Sequence, residues 1–188
     1  MAIVTGDAAG NILSGTSDHD SIQGLAGGDQ LFGLSGNDTL EGDADDDLLA
    51  GGDGADQIDG GSGADTVSGD AGADLLSGGG GADLFRNAAS GLDNDTITDF
   101  STDDTLRVTG TFLFDDGINV FDDGVTTTLQ LNTDGTPGYD VTLTLGGTFA
   151  GYFATLAAEA HTDIVYVDAF GGAGTAGDDS LNGTAGDD

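Results

Sequence analysis

The chain has no cysteine, no tryptophan and no lysine, only one proline, and only two arginines, Arg86 and Arg107. Each absence removes a class of explanation. Without cysteine there is no disulfide to staple a small core, no thiol nucleophile and no thiolate metal ligand. Two basic residues against 35 acidic ones leave a formal net charge of −33. That excludes nucleic acid and anionic membrane surfaces as partners, because both are held through Lys and Arg. No apolar run is long enough to insert into a bilayer, and residues 1–10 carry neither the basic nor the apolar part of a secretory leader. Histidine occurs only at His19 and His161, and neither H-E-x-x-H nor G-x-S-x-G is present. The two histidines read as structural or solvated residues, and aspartate pairs are so frequent that none marks a glycosidase centre. The chain reads as non-catalytic.

What is abundant is glycine, 36 residues, and aspartate, since only Glu41 and Glu159 among the acids are glutamates. High charge with high glycine is also the composition of disordered chains. The preference for the shorter carboxylate argues otherwise, because aspartate is the acid that sits close to tight turns. Spacing decides between these readings.

From Gly6 to Arg86 the sequence repeats every nine residues without insertion or deletion: GDAAGNILS, GTSDHDSIQ, GLAGGDQLF, GLSGNDTLE, GDADDDLLA, GGDGADQID, GGSGADTVS, GDAGADLLS and GGGGADLFR. Glycine opens every copy. The sixth position is Asn11 and then Asp20, Asp29, Asp38, Asp47, Asp56, Asp65, Asp74 and Asp83. The eighth is always apolar: Leu13, Ile22, Leu31, Leu40, Leu49, Ile58, Val67, Leu76 and Phe85.

Physical chemistry gives this pattern a shape. Glycine permits positive φ, so the first six residues of each copy can turn sharply with carbonyls aimed inward, and the last three form a short strand with one apolar side chain inside. Two copies complete a coil, which stacks residues eighteen apart at roughly the 4.8 Å strand spacing and sets Asp38 beside Asp20 and Asp56. Carboxylates that close repel unless a cation lies between them. Calcium suits such a site, taking six to eight carboxylate and carbonyl oxygens in flexible geometry, whereas zinc wants His or Cys. One apolar side chain per nine residues is a small core for so much ordered glycine, so metal binding is expected to supply folding free energy.

The pattern G-G-x-G-x-D-x-U-x, with U a large apolar residue, resembles the RTX (repeats-in-toxin) haemolysin-type calcium-binding family. The resemblance implies an all-β chain with a right-handed parallel β-roll over 1–86, nine nonapeptides from residue 6. It also implies about six or seven Ca2+, each between two turns on the same side. The carboxylates are Asp20, Asp29, Asp38, Asp47, Asp56, Asp65, Asp74 and Asp83. The earlier turn adds carbonyls from its second position (Thr16, Leu25, Leu34, Asp43, Gly52, Gly61) and its fourth (Asp18, Gly27, Gly36, Asp45, Gly54, Gly63). The later turn adds those of its first position (Gly33, Gly42, Gly51, Gly60, Gly69, Gly78) and its third (Ser35, Ala44, Asp53, Ser62, Ala71, Gly80). Asn11 replaces the ligand aspartate, so the first repeat reads as a weak or capping turn.

After Arg86 the period vanishes. Asp95-Thr96-Ile97-Thr98-Asp99-Phe100 with Asp103-Asp104-Thr105-Leu106 resembles the segment that follows the roll in RTX proteases and alginate-epimerase repeat modules. Alternation over Val125–Leu131 and Tyr139–Leu145 predicts a β-hairpin, Ile164–Val167 a strand, and Phe153, Leu156, Ala157 and Ala160 a helical stripe. Residues 87–173 therefore read as a β-rich cap over the end of the solenoid. Asp115, Asp116, Asp122 and Asp123 within it read as loop-solvating acids. At Gly174 the nonapeptide returns as GTAGDDSLN and GTAGDD. Residues 174–188 thus read as the start of a further roll, carrying Asp179 and Asp188, in a longer tandem protein.

The function expected is a calcium-binding structural module of a larger secreted bacterial protein that folds on Ca2+ outside the cell, in a tandem adhesin or surface protein. The alternative is a non-catalytic accessory module of a secreted protease, lipase or polysaccharide epimerase. Its partners are calcium, neighbouring modules of the same chain, and an extracellular protein or glycan target. The resemblance implies a secreted or cell-surface location reached by type I export.

Overall fold

The computed structural model describes residues 1–88, 91–92, 94–109, 118–122, 126–131, 141–146, 152–158 and 161–167. The repeat tract forms ten strands: β1 (Ile3–Thr5), β2 (Ile12–Ser14), β3 (Ser21–Ala26), β4 (Gln30–Ser35), β5 (Thr39–Ala44), β6 (Leu48–Asp53), β7 (Gln57–Ser62), β8 (Thr66–Ala71), β9 (Leu75–Gly80) and β10 (Leu84–Ala88). Odd strands stack in parallel in one sheet and even strands in another. The register is eighteen residues, with Ile22 beside Leu40 and Leu31 beside Leu49. The expected parallel β-roll is the fold.

From β3 to β9 each strand is six residues long, where three are expected. It joins the last three residues of one copy to the first three of the next, because those first residues also pair with the neighbouring coil, as Leu25 with Asp43 and Ala26 with Ala44. The turn proper is only the fourth to sixth positions. Side chains alternate across the sheet, so the eighth position and the following glycine both face inward. Ile22, Leu31, Leu40, Leu49, Ile58, Val67, Leu76 and Phe85 are at most 2% exposed and form one continuous core column. The glycine beside each leaves room for something other than a side chain.

Parallel stacking continues past Arg86, the expected end of the roll. β11 (Thr96–Ile97) pairs with β9, Thr96 beside Leu75, and β12 (Thr105–Thr109) with β10, Thr105 beside Leu84. Both steps span twenty-one residues instead of eighteen. Ile97 and Leu106 extend the core column, fully buried, and Phe100 packs on Phe85 with ring centroids 5.9 Å apart. Among the described strands, every antiparallel pair includes one that begins after Thr109.

Beyond that point each sheet is prolonged. β13 (Ile118–Asp122), β14 (Thr126–Leu131) and β15 (Val141–Gly146) follow β11, with β15 parallel to β11 and the remaining pairs antiparallel. The expected hairpin is present in β14 and β15, Leu129 beside Leu143; its connecting residues 132–140 lie outside the described set. β16 (Tyr152–Ala158) and β17 (His161–Val167) follow β12, all antiparallel. The expected strand at Ile164–Val167 lies in β17. The helical stripe does not form: Phe153, Leu156 and Ala157 lie on β16, because the edge of β17 offers backbone partners that outweigh the helical spacing of these apolar residues. Ala160, Asp115, Asp116, Asp123 and 168–188, with Asp179 and Asp188, lie outside the described residues.

Candidate metal centres in the turns

The eight sixth-position aspartates from Asp20 to Asp83 are at most 4% exposed. One carboxylate oxygen of each has a fixed task, which is to accept the backbone N–H of the residue eighteen positions earlier. Asp20 donates to Asp38 Oδ1 at 2.7 Å, Asp38 to Asp56 at 2.8 Å and Asp56 to Asp74 at 2.8 Å. On the other side Asn11 donates to Asp29 at 2.6 Å, Asp29 to Asp47 at 2.7 Å, Asp47 to Asp65 at 2.8 Å and Asp65 to Asp83 at 2.9 Å. Two ladders of carboxylates thus run the length of the roll, one on each edge.

The second oxygen has no such task. Oδ2 of Asp29, Asp38, Asp47, Asp56, Asp65 and Asp74 is buried and accepts no hydrogen bond. Burial of six charged oxygens in this state is costly without a positive partner. The surroundings of Oδ2 show what partner fits. A methyl group built on Gly60 would lie 2.6 Å from Asp65 Oδ2 and 2.7 Å from the Gly78 carbonyl. The first-position glycine thus keeps a cradle in which the carboxylate of its own turn meets the first-position carbonyl of the next coil. The same convergence pairs Asp29 with Gly42, Asp38 with Gly51, Asp47 with Gly60 and Asp56 with Gly69. These oxygen donors, without nitrogen or sulfur, are the set a hard cation of calcium's kind accepts.

The turn backbone supports that arrangement. In the seven turns from Leu25 to Gly81 the second and fourth positions both have positive φ. Five are not glycine: Leu25, Leu34, Asp43, Asp45 and Asp70, with φ between 66 and 83°. An L residue there costs on the order of 1–2 kcal/mol, so the stack imposes this geometry rather than the local sequence. Second-position carbonyls of Leu34, Asp43 and Gly61 abut the second-position Cα of the next coil on that side, and fourth-position carbonyls of Asp18, Gly36, Asp45, Gly54 and Gly63 abut the fourth. Third-position carbonyls of Asp53, Ala71 and Gly80 accept the N–H of Gly36, Gly54 and Gly63 at 2.8, 2.8 and 3.0 Å.

The electrostatics follow from burial. Desolvation raises the carboxyl pKa of Asp38, Asp47, Asp56 and Asp83; the backbone N–H bond opposes it and, in most of them, the like-charged rung of the same ladder adds to it. Asp65 and Asp74 are pushed up to about 6 by the same causes. A stack of carboxylates with raised pKa values is poised to exchange protons for a cation.

Four residues outside the repeat pattern also serve these turns. Asp95 accepts the Asp74 N–H and Asp104 the Asp83 N–H, both at 2.9 Å, carrying the ladders one rung further. Asp99 accepts the N–H of Gly78 at 3.1 Å, the N–H of Gly79 at 2.7 Å and the Ser77 hydroxyl at 2.7 Å. Asn87, where the period would place glycine, donates through Nδ2 to the carbonyls of Asp70 and Gly91, each at 3.0 Å. The local triple Asp-Thr-apolar at 95–97 and 104–106 is the sequence signal for the two extra rungs.

Comparison with known proteins accords with this geometry. The family model of the RTX calcium-binding nonapeptide repeat matches four segments, residues 5–40, 32–67, 59–86 and 173–188, together more than half the chain. The chain belongs to the RTX calcium-binding repeat family. No curated protein gives a significant match. Among solved structures, the AlgE6R3 subunit of the Azotobacter vinelandii mannuronan C5-epimerase is similar at 27% identity over 97% of this chain and 91% of that one, with a TM-score of 0.32. The AlgE6R2 subunit of the same epimerase is similar at 30% identity over 77% of this RTX chain and 84% of its own, with a TM-score of 0.33.

Proposed function

We propose that this RTX chain is a calcium-folded structural module of a larger secreted bacterial protein, in which bound Ca2+ stiffens a tandem array of an adhesin or surface type. The observation that carries the reading is the row of buried Oδ2 atoms that accept no hydrogen bond, of which those of Asp29, Asp38, Asp47, Asp56 and Asp65 face a carbonyl of the next coil. Calcium neutralises the carboxylates and links one coil to the next. A representative site is held by Asp38 with the Leu34 and Gly36 carbonyls, and by Asp56 with the Gly51 and Asp53 carbonyls. The same-side pairs from Asp29 and Asp38 onward follow the same rule. Recurrence of the family pattern at 173–188 supports a tandem arrangement. Secretion and a cell-surface setting fit a fold that stays open at cytosolic calcium and closes at the millimolar levels outside. Far-UV circular dichroism during a calcium titration tests this: strand signal should rise with calcium and collapse with chelator, and a signal indifferent to both overturns the proposal.

A further inference from the structure

The first turn on each edge is built differently from the seven that follow. Asp7 and Ala9, and Thr16 and Asp18, occupy the second and fourth positions there, and none has the positive φ found from Leu25 onward. With that backbone the second-position N–H points into the turn. Asp7 donates to Asn11 Oδ1 at 2.7 Å. Thr16 donates its N–H to Asp20 Oδ2 at 2.6 Å and its hydroxyl to the same oxygen at 2.7 Å. Asp20 Oδ1 accepts the Ala2 N–H. The Thr16 carbonyl, a ligand by its place in the repeat, accepts the Ser35 N–H at 3.5 Å.

Asp20 Oδ2 shares the Gly15 cradle with the Gly33 carbonyl, as later rungs share theirs, but it also meets two hydrogen atoms, where Oδ2 of Asp29, Asp38, Asp47, Asp56, Asp65 and Asp74 meets none. A cation placed beside Asp20 Oδ2 would confront the positive ends of both donors and would displace them at a cost that the turns of Asp29, Asp38, Asp47, Asp56, Asp65 and Asp74 do not bear. The first turn shows the same economy in its residue type. Asn11 fills the ligand position with a neutral amide, sufficient to accept a hydrogen bond and poor as a calcium ligand.

We infer that the first same-side gap on each edge, Asn11 to Asp29 and Asp20 to Asp38, takes no calcium, and that the ion columns begin at Asp29 and Asp38 with Thr16 as the residue that closes the Asp20 turn. This rests on the calcium reading above. It makes the two N-terminal turns a metal-free end to the solenoid, although Asp20 fits the repeat pattern.

Ion counting on the full chain by native mass spectrometry, with isothermal titration calorimetry, tests it. D20N should keep the wild-type number of calcium ions, because Asn11 shows that this turn closes around an amide, whereas D38N should lose at least one. The double variant T16G/D18G, which restores glycine at both turn positions, should gain one ion. Loss of an ion in D20N, or an unchanged count in T16G/D18G, overturns the inference. Circular dichroism at saturating calcium confirms that each variant is folded. A wild-type chain that takes up no calcium overturns the calcium reading itself, and is told apart from the other outcomes by needing no variant.

Discussion

The backbone N–H of Asp74 donates to the carboxylate of Asp95 at 2.9 Å across twenty-one residues, the same bond that Asp56 makes to Asp74 at 2.8 Å across eighteen. Asp95 is thus a rung of the ladder, although it lies beyond the last nonapeptide. Replacing it with alanine leaves the buried Asp74 amide without its acceptor, a loss of about 1–3 kcal/mol. D95A should need more calcium for half-maximal folding, read by circular dichroism. An unshifted midpoint would show that the bond contributes nothing.

The pH dependence has a definite sign. Asp65 and Asp74 titrate near 6 in the metal-free fold, against about 3.9 for an unfolded aspartate. Protons are therefore held more tightly by the folded state, and this contribution to the metal-free roll is complete below about pH 4 and gone once the pH passes about 6. Calcium must displace those protons, so its affinity should fall as the pH drops below about 6. A weakly buffered sample should release protons on calcium addition at pH 5.5 and few at pH 7.5, which a pH electrode measures directly.

Gly60 and Leu34 respond oppositely to substitution. G60A places a methyl group between Asp65 Oδ2 and the Gly78 carbonyl and should abolish one site, visible as a lower ion count and a higher calcium midpoint. L34G relieves a leucine held at φ 81° with half its surface exposed. It should stabilise the calcium-bound form by about 0.5–1 kcal/mol, the left-handed penalty less glycine's chain entropy. Urea denaturation at fixed calcium separates the two.

The core column makes the fold sensitive to single truncations. Leu49 is completely buried between the sheets, and L49A should cost about 2–5 kcal/mol. Thermal unfolding in saturating calcium reads the loss, and a cost below 1 kcal/mol would mean that the ions alone hold the stack.

The column from Ile22 to Phe85 and the aspartates from Asp29 to Asp83 were legible in the sequence because a solenoid repeats one physical environment, and one environment selects one residue type. Asp95 and Asp104 were not, because a three-residue lengthening of the coil breaks the period while preserving the local triple that defines a rung. The six-residue strands were hidden for another reason: glycine at the first position reads as a turn former, yet it is chosen for the space it leaves beside a carboxylate. Phe153, Leu156 and Ala157 misled because a helical spacing is only a local preference, and backbone pairing with β17 overrode it. Nothing in the composition separated Asp20 from its successors; Thr16, with a hydroxyl and an ordinary φ where later turns are left-handed, is the distinguishing residue.

Each carboxylate in the ladders reaches backward, never forward: the amide of Asp20 is completed by Asp38, and that of Asp83 by Asp104. The sixth-position amide of each coil is therefore completed by its successor, while backbone bonds such as Thr39 N–H to the Asp20 carbonyl tie the same coils in the opposite sense. The two ends of the roll are therefore unequal, the amino end lending amides and the carboxyl end lending carboxylates.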